Sequence, residues 1–357
     1  MFDILKSTYE GKKVFLTGHT GFKGSWMLVI LKVLGARTKG YSLVPEGNPN
    51  LYDLIEGNGL CESIIHDILD VKFLEKELFD FQPDFIFHFA AQSLVRKSYN
   101  TPLETFEVNM MGTSNLLNAA RELTRKCSIV VVTTDKVYEN LEKDYAYTES
   151  DKLGGFDPYS SSKACAEIAT GSFRQSFFHP DNYEDHNICL ATARSGNVIG
   201  GGDWAEDRII PDIVRSLDAG EKLNLRNPAS TRPWQHVLEP LYGYLLLGAK
   251  MEEEPQRFAD AFNFGPSEGD ELSVEDLVKI ALDKWGSGEY EVSSDVDAPH
   301  EAGLLKLDIS KAGDQLGWKP KMSSREAIDK TVEWYTTYKD DPIGITEQQI
   351  RAYFGTE

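Results

Sequence analysis

Between residues 13 and 195 the chain alternates short, nearly unbroken apolar runs with longer stretches whose apolar residues recur at helical spacing. The short runs fall at 13–17 (KVFLT), 38–43, 63–66, 84–89 (DFIFHF), 129–133 (IVVVT) and 188–193. Their β-branched and aromatic composition, without polar alternation, predicts strands buried on both faces. Helical spacing is found at 26–34, 71–79, 103–123 and 161–177. Strand and helix in alternation predict βα units on a parallel sheet, an α/β, Rossmann-type doubly wound domain. From about Asn197 the pattern loosens into Gly-rich turns (GNVIGGGDW), scattered prolines and shorter elements, which predicts a smaller mixed C-terminal lobe. The expected division is residues 1–196 for the first domain, with about 230–265 returning to it, and 197–357 for the second. A length of 357 residues suits two domains of about 150 each. MEEEP at 251–255 reads as a solvated loop, and LGW at 316–318 as structural.

Composition narrows the partners. Hydrophobic residues make up 41% and aromatics 11%, enough for a sizeable core rather than disorder. A net charge of −20 argues against a nucleic-acid partner and a polybasic membrane anchor. That charge is uneven: residues 1–45 carry a net +5, whereas 250–303 carry −11. No apolar run reaches about 18 residues, so no membrane partner is expected. The start, MFDILKSTYEGKK, has no long apolar stretch after its charges, so no signal peptide is expected. Four scattered cysteines without a CxxC pair read as reduced thiols, consistent with a cytoplasmic location. Seven dispersed histidines show no HExxH or similar spacing, so no metal is expected.

Against this acidic background, LTGHTGFKG at 16–24 leaves a strand and enters a helix, with Gly18, Gly21 and Gly24 spaced by three. Such a loop lets backbone N–H groups approach a pyrophosphate at the positive end of a helix. Its GxxGxxG spacing departs from the GxGxxG of typical Rossmann dehydrogenases. The second strand ends Tyr41-Ser42-Leu43, with neither an acid for a ribose 2′-hydroxyl nor an arginine for a 2′-phosphate, so this position leaves NAD and NADP both open. Asp67 could accept an adenine amino group or cap the following helix. The small residues Ala90 and Ala91, beside Gln92, would let a dinucleotide lie against backbone.

About 140 residues after the glycine loop comes Tyr159-Ser160-Ser161-Ser162-Lys163, a YxxxK just after Pro158. Residues four apart share a helix face, so phenol and ammonium can flank one substrate hydroxyl. A charged Lys163 should pull the phenol pKa down from about 10, letting Tyr159 act as a base.

In order along the chain, Gly18, Gly21, Gly24, Asp67, Ala90–Gln92, Asn109, Thr133–Thr134 and Tyr159/Lys163 resemble the extended short-chain dehydrogenase/reductase family. The resemblance runs from Lys13 to about Pro320. Within that family the chain looks like the sugar-nucleotide 4,6-dehydratases, which place Thr-Asp-Glu at the end of the fifth strand. Here the tripeptide is Thr134-Asp135-Lys136. That departure, with GHTGFKGSW (18–26) and RPWQHVLEP (232–240), is most similar to members acting on CDP-glucose. The resemblance implies NAD as cofactor, held by Gly18, Thr20, Gly21, Phe22, Gly24, Asp67, Ile68, Ala90, Ala91, Gln92, Asn109, Thr133, Tyr159 and Lys163. It implies CDP-glucose as substrate and a homodimer or homotetramer paired through the helices at 103–123 and 161–177. It also implies a place in deoxysugar and O-antigen-type biosynthesis.

The implied chemistry has three steps. Tyr159 takes the C4 hydroxyl proton as hydride passes from C4 to NAD, water is eliminated across C5 and C6, and hydride returns to C6. Asp135 would be the acid for the departing C6 hydroxyl, with a pKa raised by burial, and Thr134 would hydrogen-bond the C4 oxygen. Lys136 leaves two roles open: a neutral base for the C5 proton, or an ammonium that stabilises the enolate. Arg194, Asn197, Arg208, Arg226 and Arg232 lie in a stretch suited to a nucleotide diphosphate, with Arg208 and Arg232 favoured over Lys222 because guanidinium forks match phosphate oxygens. By resemblance Asn197 meets the diphosphate and His300, with Glu301, closes over the nucleotide. Trp234 and His236 could be core residues. Two rival readings are a nucleotide-sugar 4-epimerase or reductase, disfavoured by Asp135-Lys136, and a non-catalytic dinucleotide-binding regulator, disfavoured by the Tyr159/Lys163 pair.

Overall fold

The structure, a computed structural model, describes residues 1–225, 227–292 and 304–356. Its centre is a parallel seven-stranded sheet: β1 (Lys13–Thr17), β2 (Arg37–Ser42), β3 (Glu62–Ile65), β4 (Phe85–His88), β5 (Cys127–Val132), β6 (Ile188–Ser195) and β7 (Ala261–Phe264). The strand order is β7-β6-β5-β4-β1-β2-β3, with every neighbouring pair parallel. The order reverses beside β1, where β2 and β3 lie on one side and β4 on the other. A crevice therefore opens at the carboxyl ends of β1 and β4, the place where open α/β sheets bind ligands. Six strands follow the six apolar runs. The seventh, β7, comes from the segment expected to return to the first domain.

Odd and even residues of each strand serve different cores, as the two-residue period demands. Val14, Leu16, Phe85, Phe87, Val130 and Val132 face one layer of helices, while Phe15, Ile86, Ile129 and Val131 face the other. The first layer contains α2 (Phe22–Val33), following α1 (Phe2–Tyr9) in the chain. Trp26 through Leu31 of α2 are all fully buried, the behaviour of a helix that is apolar all round and covered on every side. The second layer contains α3 (Val71–Phe81), α4 (102–120) and α5 (Pro158–Ser176). In α4, Pro102–Phe106 and Gly112–Ala120 are joined by a π turn, Glu107–Met111, in place of the uninterrupted helix that periodicity predicts.

Further along lie α6 (Ile209–Ala219), α7 (Leu238–Glu253), α8 (Val274–Trp285), α9 (Ser324–Thr337) and α10 (Pro342–Phe354), with short two-stranded pairs between them. The expected loop at 251–255 is instead largely the end of α7. Met251 is fully buried, Glu252 reaches Lys12 and Glu253 pairs with Lys250, so one apolar and two acidic positions complete an amphipathic turn. Trp318, of the LGW sequence, is fully buried.

Candidate active site

The loop from β1 to α2 is built by close backbone approach. Gly18 has φ of +73°, and a Cβ there would lie 2.7 Å from the Ala90 nitrogen; one at Gly24 would lie 2.1 Å from the Gly18 carbonyl oxygen. Gly21 is the N-cap of α2, so no side-chain oxygen occupies the first N–H groups, and the first turn holds no acid. An anion at this end is favoured by the unpaired N–H groups and the helix dipole. This cradle fits the pyrophosphate of a dinucleotide. Thr20 bonds Ser42 and the Leu43 carbonyl, each at 2.9 Å, closing the loop on β2. Phe22 is half-buried against the core.

Beyond β3, Asp67 accepts the Leu69 N–H and stays exposed, while Asp70 caps α3 by accepting the Phe73 N–H. The cap expected of Asp67 thus belongs to the residue three places on. Ile68 is buried where a Cβ at Gly112 would meet it at 2.8 Å. After β4, the Phe89 and Ala90 N–H groups donate to Thr17, and Ala91 follows, half-buried. Gln92 turns its side chain back onto Leu94 and Thr105. Asn109, in the π turn, accepts the Gln92 N–H at 2.8 Å and donates to the Gln92 carbonyl and Ser162. Asn109 therefore ties the α4 turn, the loop after β4 and α5 into one frame.

Thr134, Asp135 and Lys136 follow β5 in a single 3-10 turn. Asp135 Oδ1 accepts the Thr134 hydroxyl at 2.9 Å and the Lys136 ammonium at 3.1 Å. Its Oδ2 is buried with no hydrogen-bond partner among the described residues. A Cβ at Gly196 would lie 2.1 Å from that oxygen, so only glycine at 196 permits the approach. Opposite, α5 starts on its N-cap Asp157, with Tyr159 and Lys163 buried one turn apart. Lys163 donates to the Val132 carbonyl at 3.0 Å.

The electrostatics correct one expectation. Burial raises the Tyr159 pKa above its ordinary value, and the opposing Lys136 charge, Thr134 hydrogen bond and Arg208 charge do not overcome it. Lys163 is not the cation that acts on this phenol most strongly; burial depresses its own pKa to about 8, against the pull of Glu167. Burial also depresses Lys136, but Asp135 and Tyr159 outweigh it, and its pKa is raised overall. Lys136 is therefore an ammonium.

On the substrate side, Arg208 bonds Asp203 at 2.8 Å and lies close enough to favour the Tyr159 phenolate. Arg232 donates to the Thr231 carbonyl, and its charge reaches Lys136. The half-buried Asn197 accepts the Gln235 N–H through its carbonyl. Arg194 stands apart: it is buried in an ion pair with Glu167 at 2.8 Å, so it is not a phosphate ligand. Trp234 and His236 are buried. Thr133 donates to Glu167. Arg226, His300 and Glu301 lie outside the described residues.

Sequence reasoning missed Lys23, which donates to Ser195 at 3.2 Å and is depressed to about 7 by burial, then by Arg208 and Lys163. It also missed Gly196, Asp203 and Glu167. Lys23 was visible as the basic residue inside the glycine loop; the others carried no motif.

A model of the GDP-mannose 4,6 dehydratase family matches residues 15–331. The chain belongs to that family. Across 98% of each chain it is 44% identical to the CDP-glucose 4,6-dehydratase of Salmonella typhimurium. It is 31% identical to the dTDP-D-glucose 4,6-dehydratase of Mus musculus, over 91% of this chain and 88% of that protein. Among solved structures, dTDP-glucose 4,6-dehydratase from Streptomyces venezuelae, with NAD bound, is 26% identical with a TM-score of 0.77, covering 93% and 99% of the two chains. A UDP-glucose 4-epimerase of Thermotoga maritima, 23% identical with a TM-score of 0.75 over 91% and 98%, shares the fold. The dehydratase and the epimerase thus share one fold with this chain.

Proposed function

We propose that this chain is a cytoplasmic, NAD-dependent hydro-lyase that converts CDP-glucose to CDP-4-keto-6-deoxyglucose and water. The observation that carries this reading is Asp135, a buried carboxyl group pressed against Gly196 beside Tyr159, where a departing C6 hydroxyl needs an acid. A 4-epimerase has the same fold and can use the same tyrosine–lysine pair, but it has no use for that acid. The nucleotide follows from the 44% identity to a CDP-glucose 4,6-dehydratase across both chains.

Bound NAD, in the cradle of Gly18, Gly21 and Gly24, would accept hydride from C4 and return it to C6. Tyr159 rests protonated and takes the C4 hydroxyl proton through its phenolate form, which the Lys136 and Arg208 charges favour against burial. Lys136, as ammonium, stabilises the negative charge on O4 while Tyr159, having released the C4 proton to solvent, accepts the C5 proton and returns it to C5 when hydride reaches C6. Asp135 is placed to supply the proton with which the C6 oxygen leaves as water while the C5–C6 double bond forms. Arg208 and Arg232 hold the diphosphate through guanidinium forks, a geometry that suits phosphate oxygens. Two copies associate through α4 and α5, which expose the large apolar side chains Leu103 (79%) and Ile168 (60%); exposed apolar surface marks an association site.

The test is incubation with CDP-glucose deuterated at C4, followed by NMR of the product. Deuterium at C6 is expected. A product with inverted C4 and no deuterium at C6 overturns the dehydratase in favour of an epimerase.

A further inference from the structure

One buried polar cluster lies behind the reacting groups without touching the substrate crevice. Glu167 sits one helical turn beyond Lys163 on α5 and is buried. Its Oε1 accepts the Thr133 hydroxyl at 2.5 Å; its Oε2 accepts the Thr192 hydroxyl at 2.9 Å and the Arg194 guanidinium at 2.8 Å. Thr133 immediately precedes Thr134-Asp135-Lys136, and Thr192 and Arg194 are neighbours on β6. Arg194 continues to the Tyr138 hydroxyl and the Glu149 carbonyl, and Tyr138 donates to Asn263 of β7. One carboxylate thus joins the helix carrying Tyr159 and Lys163 to the strand ends carrying the acid turn.

Burying a carboxylate this deeply costs several kcal/mol unless it is paired and hydrogen-bonded. Three donors, one just past β5 and two on β6, supply that pairing. Arg194 pairs with that charge at 2.8 Å, and Lys163, four residues earlier on the same face of α5, is the next charged group along the helix.

We propose that Glu167 is a positioning residue: anchored by Thr133, Thr192 and Arg194, its carboxylate holds Lys163 in the ammonium form and fixes α5 against the turn of Thr134, Asp135 and Lys136. The part played by Lys163 in turnover rests on the function proposed above; the effect of Glu167 on Lys163 does not. Burial raises the Glu167 pKa, but Arg194 and the two threonine hydroxyls outweigh it, so the group is ionised at neutral pH. Burial pushes Lys163 down to about 8, and Glu167 is the charge opposing that push. Among the described residues, the other groups facing Lys163 give it no anion. The Val132 carbonyl accepts its proton from β5. His88 of β4, depressed to about 3, is neutral, and Lys23 of α2 is a second cation. Tyr159, on the same helix, is raised above its ordinary value and stays protonated.

The test follows the titration of Lys163 directly, by NMR of protein labelled at lysine Cε, with its resonance assigned by its loss in Lys163→Met. In Glu167→Gln the midpoint should fall by about one pH unit, the low end of what removing a nearby opposite charge does. In Glu167→Asp, which keeps the charge, it should stay near the wild-type value. Glu167→Gln leaves Arg194 buried and unpaired, so the double variant Glu167→Gln/Arg194→Met, which removes both charges, is measured alongside it and should show a smaller fall in the same direction. A folded variant lacking the Glu167 charge but titrating at the wild-type midpoint overturns the proposal. Loss of fold alone would lower stability in all these variants without moving the midpoint of those that fold. The alkaline limb of kcat on CDP-glucose should fall in parallel. Wild-type protein that does not turn over CDP-glucose would overturn the function proposed above and leave the lysine titration to decide the role of Glu167.

Discussion

At Tyr159, burial and cations pull in opposite directions. Burial keeps the phenol protonated, while Lys136, the Thr134 hydrogen bond and Arg208 favour phenolate. Removing the hydroxyl therefore removes the base without disturbing the glycine cradle. Tyr159→Phe should lower kcat by about 10²–10⁴-fold, the usual worth of a positioned general base, while NAD affinity measured by calorimetry stays close to wild type. Robust turnover in that variant would dismiss Tyr159 as the base. Lys136 allows a sharper comparison. Its raised pKa makes it an ammonium, so charge should matter more than basicity. Lys136→Arg should retain more dehydration of CDP-glucose than either Lys136→Met or Lys136→Glu. If Lys136→Glu alone is active, the side chain is a proton acceptor and its electrostatic role is wrong.

Elements bring these residues together by contacts that are long in sequence. Gly196, just beyond β6, lets Asp135 after β5 reach its position, since a Cβ there would fall 2.1 Å from Oδ2. Gly196→Ala should therefore displace the acid and cost at least about tenfold in kcat, a displacement of the kind that misplaced catalytic groups produce. Unchanged turnover would show that Asp135 does not need this approach. No sequence motif marks Gly196, because its importance exists only once β5 and β6 are neighbours. The strands themselves were readable, since side chains buried on both faces leave unbroken apolar runs. The glycine loop was readable because backbone geometry restricts residue type. Asp67 and Asp70 were not separable, because both precede α3 and only the turn geometry decides which one caps it. Arg194 was misread for a similar reason: an arginine near a phosphate site and an arginine paired behind it look identical until Glu167 of α5 is placed. The end of α7 was misread because Glu252 and Glu253 look solvated, whereas Met251 between them and the core sets the helix.

At the scale of the molecule, the exposed apolar side chains of α4 and α5 predict association. Light scattering should give at least twice the monomer mass of 40.1 kDa, and Ile168→Glu with Leu103→Glu should shift it toward the monomer; a wild-type protein of monomer mass would refute the pairing. The acidic balance bears on stability through a different set of groups. Burial depresses both His88 and His236 to about 3, with Lys163 adding to the effect on His88 and Lys330 to that on His236. His19 is depressed to about 4, again by burial first. In the unfolded chain these imidazoles titrate near 6.5. Between the folded and unfolded values the unfolded chain binds more protons, so stability rises with pH through that window and is complete above about 6.5. At pH 5.5 each of His88 and His236 should cost about 1.4 kcal/mol relative to neutral pH, with His19 acting in the same direction. A combined loss of about 3 kcal/mol is large against the 5–15 kcal/mol typical of folded domains. Carboxylates with depressed values, such as Glu167 and Asp260, lose their contribution only at lower pH and do not mask the effect. The urea midpoint should therefore fall clearly between pH 7.5 and 5.5. His236 packs edge-on against Trp26 with no partner for Nε2 among the described residues, so His236→Phe can fill the site without a titrating group. That variant should show a smaller fall over the same interval. A midpoint that stays level from pH 7.5 to 5.5 in the wild type would mean that these histidines are not held neutral by burial.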